Sequence, residues 1–517
     1  MTLNDIDTET AKSPTLCSFL SKSQYCDYGT MLSPTLSSEM SEADLCSLNT
    51  PLLSTTASDD FGSLDVHDAE TADGSLIPKV DENGRTVSEP HSGFIGMFGS
   101  ISLAYNNLVG PGIVFLPAAF QRSGIIPTTL AILFVSVLSA FSSLHMANVI
   151  SKVPGNLQFR KETEYSEAFR YFGGEAAFYA SQIIFFLCVM CQVVASIVDV
   201  AQVSDQFFTK AYALQFSPEF RFISWSHASC LETEVENCIP FHNDGNLILT
   251  GGYLISAACF LPLGMLDLKE NMIWQMISFI LTVLLIIQFI FTLCGNGLST
   301  DNVSFYGESW GDLVGVILFN NSLCTCIPAW LYEKKKCVSV STVVWSSSLL
   351  SAFTYISFGL IGAFSINSVP QNILQPLSSG YFGKVSTFCA SSFAFMVIGL
   401  GIPLFCVVTR LNLVSSGLLT NRMGILIVSV LPWVFSWMLY QGGGLEEVLA
   451  WGGLLLTGVI SFIAPTALAL YVTLGSETLG SISLAAREWR GQKIELWILL
   501  TFTILVFLTA LVGEFMS

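Results

Sequence analysis

The sequence contains few charged residues and few histidines. Aspartate, glutamate, lysine and arginine make up 12% of its 517 residues, whereas soluble globular domains carry about 25%. Basic residues number 21 against 39 acidic ones, so no basic surface for nucleic acid is expected. Only five histidines are present, and metal-ligand residues do not cluster. These shortages argue against a soluble protein, a nucleic-acid-binding protein and a metal centre.

Motifs of common enzyme classes are absent as well. The chain has no Gly-x-Ser-x-Gly, no His-Glu-x-x-His and no phosphate-binding loop, which mark common hydrolases, metalloproteases and NTPases. We therefore expect no enzyme activity and no cofactor, apart from H⁺ or Na⁺ as a coupling ion. The chain also lacks a basic start followed by a short apolar core, so no cleavable signal peptide is predicted.

Long apolar runs dominate the remainder of the chain. Apolar residues make up 52% of the sequence, and the mean hydropathy is +0.62. Runs of about 18 or more apolar residues are typical of membrane-spanning helices. These runs do not alternate between apolar and polar residues, so a β-barrel is not expected. The predicted spans are 97–121, 125–149, 174–208, 246–265, 271–294, 311–332, 341–364, 382–409, 422–440, 447–473 and 494–514.

The charges that remain are unevenly placed. Residues 1–92 hold sixteen acidic and four basic side chains and are rich in Ser and Thr, a composition typical of disordered segments. Residues 93–517 form the predicted transmembrane domain. Loops on the N-terminal side of the membrane hold thirteen basic residues and the opposite loops four. Basic residues favour the cytosolic side, so the N-terminus is predicted in the cytosol and the C-terminus outside or in a lumen.

Two features of the predicted outer loops agree with this orientation. Cys230 and Cys238 share one polar loop, where a disulfide is plausible in an oxidising compartment. Asn302 begins an Asn-Val-Ser sequon in the next outer loop and is a candidate glycosylation site.

The first span contains the stretch NNLVGPGIVFLP, residues 106–117. Pro111 removes a backbone donor and the flanking glycines loosen the helix, so a break is predicted here. Freed backbone groups inside a membrane must face protein, water or ligand, and broken helices form the midplane substrate sites of secondary transporters. Gly110 and Gly112 could then offer N–H groups to a carboxylate.

A second break is predicted five spans later. The sixth span reads GVILFNNSLCTCIPAW, with Asn320, Asn321 and Ser322 in its middle and Pro328 after them. Asparagine is costly in hydrocarbon, so polar groups beside a helix-breaking proline indicate a second half of one site. The alternative interpretation is a proline kink with hydrogen bonds between helices.

At these residues the chain resembles the amino acid/auxin permease family. The resemblance covers about residues 94–515. Its motifs are Asn106-x-x-x-Gly110-x-Gly112-Ile113-x-x-Leu116-Pro117-x-x-Phe120, LFNNSLCTCIPAWLYE around the sixth-span break, and GIPLFCVVTRLNL at 401–413. The resemblance implies a leucine-transporter-like fold of the APC superfamily. In that fold two inverted repeats of five spans, about 97–294 and 311–473, precede an extra span at 494–514. It also implies an amino acid or related small substrate driven by Na⁺ or H⁺.

One position departs from the family pattern. Sodium-coupled members place a Ser or Thr hydroxyl a few residues before the eighth-span proline, but this chain has Gly399 and Gly401 before Pro403. Ser391 and Ser392 lie two to three turns earlier. A hard cation prefers oxygen ligands, so proton-coupled or facilitative movement is favoured over sodium coupling.

Polar residues inside the spans supply the candidate site. Asp199 in the third span and His145 in the second are candidates for proton coupling, with a wet surface carboxylate and a packed histidine as the alternatives. The candidate substrate-binding residues are Asn106, Gly110, Gly112, Gln192, Ser196, Asn320, Asn321 and Ser322.

The sequence thus predicts an all-α membrane protein with about eleven spans, discontinuous first and sixth helices, and amino acid transport by alternating access. A non-transporting amino acid sensor with the tail as its signalling arm is the alternative. A channel is disfavoured because the spans lack a charge ring or a repeated polar face. Tyr28-Gly-Thr-Met31 matches a tyrosine-type sorting pattern, and the plasma membrane and the lysosome or vacuole both remain open. Regulatory partners of the tail are not identified.

Overall fold

The structure is a computed structural model. It describes residues 93–156, 158–207, 210–216, 219–226, 247–307, 311–440, 452–475 and 485–516. The acidic tail 1–92 and the predicted Cys230–Cys238 disulfide lie outside the described residues.

Helices occupy every predicted span. Their bounds, taken as the first to the eleventh span, are Met97–Leu108 with Pro111–Ser123, Ile125–Ser151, Tyr165–Phe207, Gly251–Leu263, Leu268–Gly295, Gly311–Asn320 with Ile327–Glu333, Val340–Ser365, Lys384–Ser415, Asn421–Leu439, Leu454–Gly475 and Ala485–Met516. Within the described residues, eight helices are long and apolar enough to cross a bilayer, or nine if the two halves of the first span count as one. The chain is therefore an integral, multi-pass, all-α membrane protein.

A small antiparallel sheet follows the third span, where the sequence predicted only a polar loop. Its strands are β1 (Lys210–Gln215), β2 (Arg221–Ser226) and β3 (Ile248–Thr250), in the order β2-β1-β3. Strand β3 uses residues predicted to be helical, so the fourth span begins only at Gly251. The Thr250 side chain accepts a hydrogen bond from the Tyr253 N–H at 3.1 Å, which caps this helix.

The third span is the longest helix at the centre of the fold. It runs from Tyr165 to Phe207, nine residues earlier than the predicted start at 174, and bends at Gly174, where φ is +78°. Only glycine adopts that backbone region readily. The third span packs along the fourth and eighth spans, while the seventh packs along the first and second. The sixth and eighth spans are the most deeply buried of the eight single-helix spans, so the sixth-span break faces protein rather than lipid. Beside the first break, Leu108, Val109 and Ile113 are buried as well.

Candidate functional site

The first span is broken at the Gly-Pro-Gly sequence. Its first helix ends at Leu108, Gly110 is extended with φ −101° and ψ −154°, and a 3₁₀ turn runs from Pro111 to Phe115. The two halves are bent by 48°. Proline at the start of the second segment costs no hydrogen bond, because the first N–H groups of a helix have no partner within it. The predicted first break is therefore present.

The sixth span is broken directly after Asn320, the first residue of the asparagine pair. Its first helix ends at Asn320, Ser322 has the non-helical angles φ −84° and ψ +39°, and a 3₁₀ turn covers Leu323–Thr325. A second helix then begins at Ile327 with Pro328 in its first turn. The sixth helix is thus interrupted between Asn320 and Ile327, but its two parts still form one span and are not bent by more than 40° as those of the first span are.

The two breaks touch each other. The Asn107 side-chain Nδ2 donates to the Ser322 carbonyl at 3.1 Å. A Cβ atom added to Gly112 would lie 2.6 Å from both Cγ and Nδ2 of Asn320, so the Asn320 amide packs directly on the Gly112 backbone. The absence of a side chain at Gly112 is what permits this contact.

Side chains of the second and third spans donate hydrogen bonds to the sixth-span break. The Ser139 hydroxyl donates to the Asn321 carbonyl at 2.6 Å, and the Ser136 hydroxyl donates to Asn321 Oδ1 at 3.1 Å. From the third span, Gln192 Nε2 donates to the Ser322 Oγ at 3.2 Å. Asn321 is thus buried within a protein network, while Gln192 and Ser322 meet at the edge of the break.

A small cavity lies between the breaks. Its lining residues are Asn107, Leu108, Gly110, Pro111, Gln192, Phe319, Asn320, Ser322 and Phe405. Its volume is about 10 Å³, which is room for roughly one water molecule. The lining includes the amide side chains of Asn107, Gln192 and Asn320 and the aromatic rings of Phe319 and Phe405. The cavity is therefore too small for an amino acid, and a ligand of that size would need helix movement to enter it.

Backbone hydrogen bonds hold the N-terminal end of the first span. Ile95 N–H donates to the Glu333 carbonyl at 3.0 Å, and Lys335 N–H donates to the Ile95 carbonyl at 2.9 Å. This short parallel bridge, called the clasp below, joins the residues just before the first span to those just after the sixth. One turn further in, Trp330 Nε1 donates to Ser100 Oγ at 2.9 Å.

The opposite end of the first span is held by backbone bonds as well. Gly307 N–H donates to the Ser123 carbonyl at 2.9 Å, and Ile125 N–H donates to the Ser304 carbonyl at 3.0 Å. The loop before the sixth span thus pairs with the turn after the first. The first span is therefore tied at both ends to residues that flank the sixth span.

Charged groups gather beside the clasp, outside the spans. Glu164 immediately precedes the third span and is 2% exposed. Burial, and then the neighbouring carboxylates of Glu162, Glu167 and Glu333, raise the pKa of Glu164 well above its usual range. Burial likewise lowers the pKa of Lys334. This end of the protein therefore contains carboxylate and ammonium groups that are disfavoured in their charged forms.

The other predicted site residues lie away from the cavity lining. Asn106 Nδ2 donates to the backbone carbonyl of Gln275 at 2.7 Å and to its Oε1 at 3.0 Å, in the fifth span. Ser196 Oγ donates to the Gln192 carbonyl at 2.9 Å. Their roles in substrate binding stay predictions. Asn107, Tyr355, Ser136 and Ser139 contact the breaks but were not among the predicted residues.

Asp199 and His145, the candidates for proton coupling, are both buried. Asp199 is 9% exposed, and its Oδ2 has no hydrogen-bond partner among the described residues. It lies seven residues beyond Gln192, which is about 10 Å along the helix. His145 is 8% exposed and stacks on Phe141, with ring centroids 6.4 Å apart.

The eighth span places no hydroxyl at the turn before Pro403. The Leu400 carbonyl in that turn accepts from Gln275 Nε2 at 3.0 Å, and a side chain on Gly399 would meet the Phe260 ring within 2.9 Å. Ser391 and Ser392 instead line a separate cavity of about 260 Å³ between the third, fourth and eighth spans. Among the described residues no cluster of three or more candidate metal ligands is found.

Asn302, the candidate glycosylation site, lies in the loop between the fifth and sixth spans. Its Nδ2 atom, to which a glycan would attach, donates to the Phe364 carbonyl at 2.9 Å. Glycosylation at this residue stays a prediction.

Comparisons with known proteins identify no family by sequence. No family model matches the chain, and no curated protein matches it. Among solved structures, the chain is similar to the crystal structure of MhsT in complex with L-phenylalanine, with 12% sequence identity and a TM-score of 0.49. The similarity covers 82% of this chain and 99% of that one.

Proposed function

We propose that the chain is a secondary transporter that carries amino acids, or closely related small zwitterions, across a membrane by alternating access. The observation that carries this proposal is the meeting of two broken spans at one small cavity with amide and hydroxyl side chains among its lining residues. Discontinuous helices of this kind form the midplane substrate sites of secondary transporters. The ties at both ends of the first span fit a closed intermediate of such a cycle.

The helix ends at the cavity match the charges of an amino acid. The segments ending at Leu108 and Asn320 present C-terminal carbonyl groups, which carry partial negative charge. The segments beginning at Pro111 and Leu323 present N-terminal N–H groups, which favour an anion. An ammonium group would bind at the first pair and a carboxylate at the second. Gly112 supplies the first-span N–H, because Pro111 has none.

The finer assignments are also proposals. The first- and sixth-span residues that resemble the amino acid/auxin permease family support membership of that family. Proton-coupled or facilitative movement is favoured over sodium coupling, because Gly399 and Gly401 offer no hydroxyl and the Leu400 carbonyl is bonded to Gln275. Asp199 and His145 are both kept as proton-coupling candidates, because Asp199 Oδ2 and His145 Nε2 are each buried without a hydrogen-bond partner among the described residues.

Uptake by reconstituted vesicles tests the proposal. Purified protein in proteoliposomes would be offered twenty radiolabelled amino acids, with Na⁺ and H⁺ gradients imposed separately. We expect uptake of at least one of them, raised by an inward H⁺ gradient or independent of both gradients. Uptake that depends on Na⁺ would contradict the coupling proposal. Saturable binding without any flux would contradict transport and favour the sensor alternative.

A further inference from the structure

Tyr355 contacts both broken spans at once. It lies in the seventh span, is 1% exposed, and does not line the cavity. Its hydroxyl is within hydrogen-bond reach of the Leu108 carbonyl and, at 3.2 Å, of the Asn320 carbonyl. These two residues are the last of the helical segments that end at the cavity. A single side chain that does not line the cavity therefore bridges the two helix ends.

The hydroxyl does not satisfy both ends fully. Each C-terminal helix end carries roughly half a negative charge, and both ends meet at one point. A tyrosine hydroxyl has one hydrogen to donate, and it is shared between the two carbonyl groups. The Leu108 carbonyl accepts in addition from the Gly110 N–H at 3.0 Å, so the Asn320 carbonyl depends on Tyr355 more. The residues that line the cavity include no lysine or arginine. The empty site is therefore short of hydrogen-bond donors where an ammonium group, with three, would bind.

We propose that the Tyr355 hydroxyl is a place-holder for the substrate ammonium, which makes Tyr355 a positioning residue for the empty state. This inference rests on the proposed function. When the site is empty, the hydroxyl donates to the Leu108 and Asn320 carbonyls and holds the two helix ends together. When substrate binds, its ammonium supplies the missing donors, and the bond from Tyr355 matters less. Tyr355 thus stabilises the empty carrier more than the loaded one.

The empty and the loaded carrier take part in different steps of a transport cycle, so two assays can distinguish them. Net uptake requires the empty carrier to return across the membrane, whereas exchange of labelled for unlabelled substrate requires only loaded carriers to move. Removing the hydroxyl takes a donor from the Asn320 carbonyl and leaves the Leu108 carbonyl with the Gly110 N–H, a loss that the substrate ammonium would offset only in the loaded state. Net uptake should then fall while exchange is kept. Equilibrium binding should become tighter, because the variant loses more stabilisation in the empty state than in the loaded one.

The variant Tyr355→Phe tests this inference, with Tyr105→Phe as its matched control. Tyr105 is also 1% exposed, and its hydroxyl bonds to Thr354 at 3.0 Å, beside Tyr355, without reaching either break. Both variants would be assayed in proteoliposomes with the amino acid that gives the largest uptake in the panel. For Tyr355→Phe we expect net uptake about tenfold lower, exchange within about twofold of wild type, and a lower Kd. For Tyr105→Phe the ratio of net uptake to exchange should match wild type.

Other outcomes overturn the inference. Equal loss of net uptake and exchange in Tyr355→Phe would show a purely structural role, and an unchanged ratio would show that the hydroxyl is irrelevant to the empty state. If the variant reconstitutes poorly, the substrate-induced rise in thermal midpoint in detergent still decides: a rise smaller than that of wild type contradicts the place-holder role. Wild-type protein that neither accumulates nor exchanges any amino acid would overturn the proposed function itself.

Discussion

Gly93 packs against the peptide group of Lys334. A Cβ atom on Gly93 would lie 2.8 Å from the Glu333 carbonyl and closer still to that of Lys334. This contact stands beside the clasp and brings the chain ahead of the first span onto the end of the sixth. A residue with any side chain at this position would force the two segments apart.

We therefore expect Gly93→Ala to loosen the clasp. Loosening should expose the interior below it, including the thiols of Cys324 and Cys326, which are 0% and 2% exposed. The rate at which a water-soluble maleimide modifies these two cysteines, followed by peptide mass spectrometry, should rise several-fold. Gly96→Ala is the control, since no atom lies within 4 Å of a Cβ there. Equal rates in the two variants would contradict the clasp as a barrier.

Gly112→Ala should abolish transport. The new methyl would occupy space held by the Asn320 amide, so the two breaks could no longer approach each other. Uptake in proteoliposomes should fall at least tenfold, while elution on size exclusion and helical circular dichroism remain those of wild type. Gly96→Ala again adds a methyl group, in open space, and should transport normally. Uptake near the wild-type rate in Gly112→Ala would remove this contact from the mechanism.

Asp205 joins three spans, and its loss should destabilise the fold. Its Oδ1 accepts from the Gly252 N–H at 2.7 Å and its Oδ2 from the Tyr440 hydroxyl at 2.6 Å. Asp205→Ala leaves both buried donors without an acceptor, at a cost of about 3 kcal/mol. Tyr440→Phe removes only one of the bonds and should cost less. Thermal midpoints in detergent should therefore fall in the order wild type, Tyr440→Phe, Asp205→Ala.

Glu164 should make stability depend on pH. Its pKa is raised in the folded protein by burial and by nearby carboxylates, so the folded state prefers its protonated form. Its contribution is then fully present below the unfolded pKa of about 4.3 and is lost as pH rises through the folded pKa. We expect Glu164→Gln to raise the thermal midpoint at pH 8 more than at pH 5. An equal change at both pH values would contradict the assignment.

The spans and the first break could be predicted from the sequence because their causes are local. Apolar runs set the helices, and Gly110-Pro111-Gly112 breaks the first one whatever surrounds it. Which asparagine faces the cavity could not be predicted in the same way. Neighbouring helical residues point about 100° apart, so one residue of rotation decides between them. The structure turns Asn107 toward the sixth span and Asn106 toward Gln275.

Tyr355 shows a different limit of sequence reasoning. A tyrosine in an apolar span is unremarkable in composition, and its partner Leu108 lies 247 residues away in the chain. Only the tertiary packing of the seventh span on the first gives it a role. Ser136 and Ser139 carried a detectable signal, because hydroxyls three residues apart share one face of a helix. The predicted start of the fourth span, at residue 246, is too early because strand β3 is as apolar as the helix that follows it.

The cavity of about 10 Å³ between the two breaks has a kinetic consequence. No amino acid fits a space of this size, so binding to this conformation must wait for the protein to open. If this conformation predominates in the absence of substrate, the observed association rate would level off at high substrate concentration, at the frequency of opening. Inhibitors designed to fit the cavity in this conformation would find no space there. Molecules that bind the open conformation would instead stop transport by preventing closure.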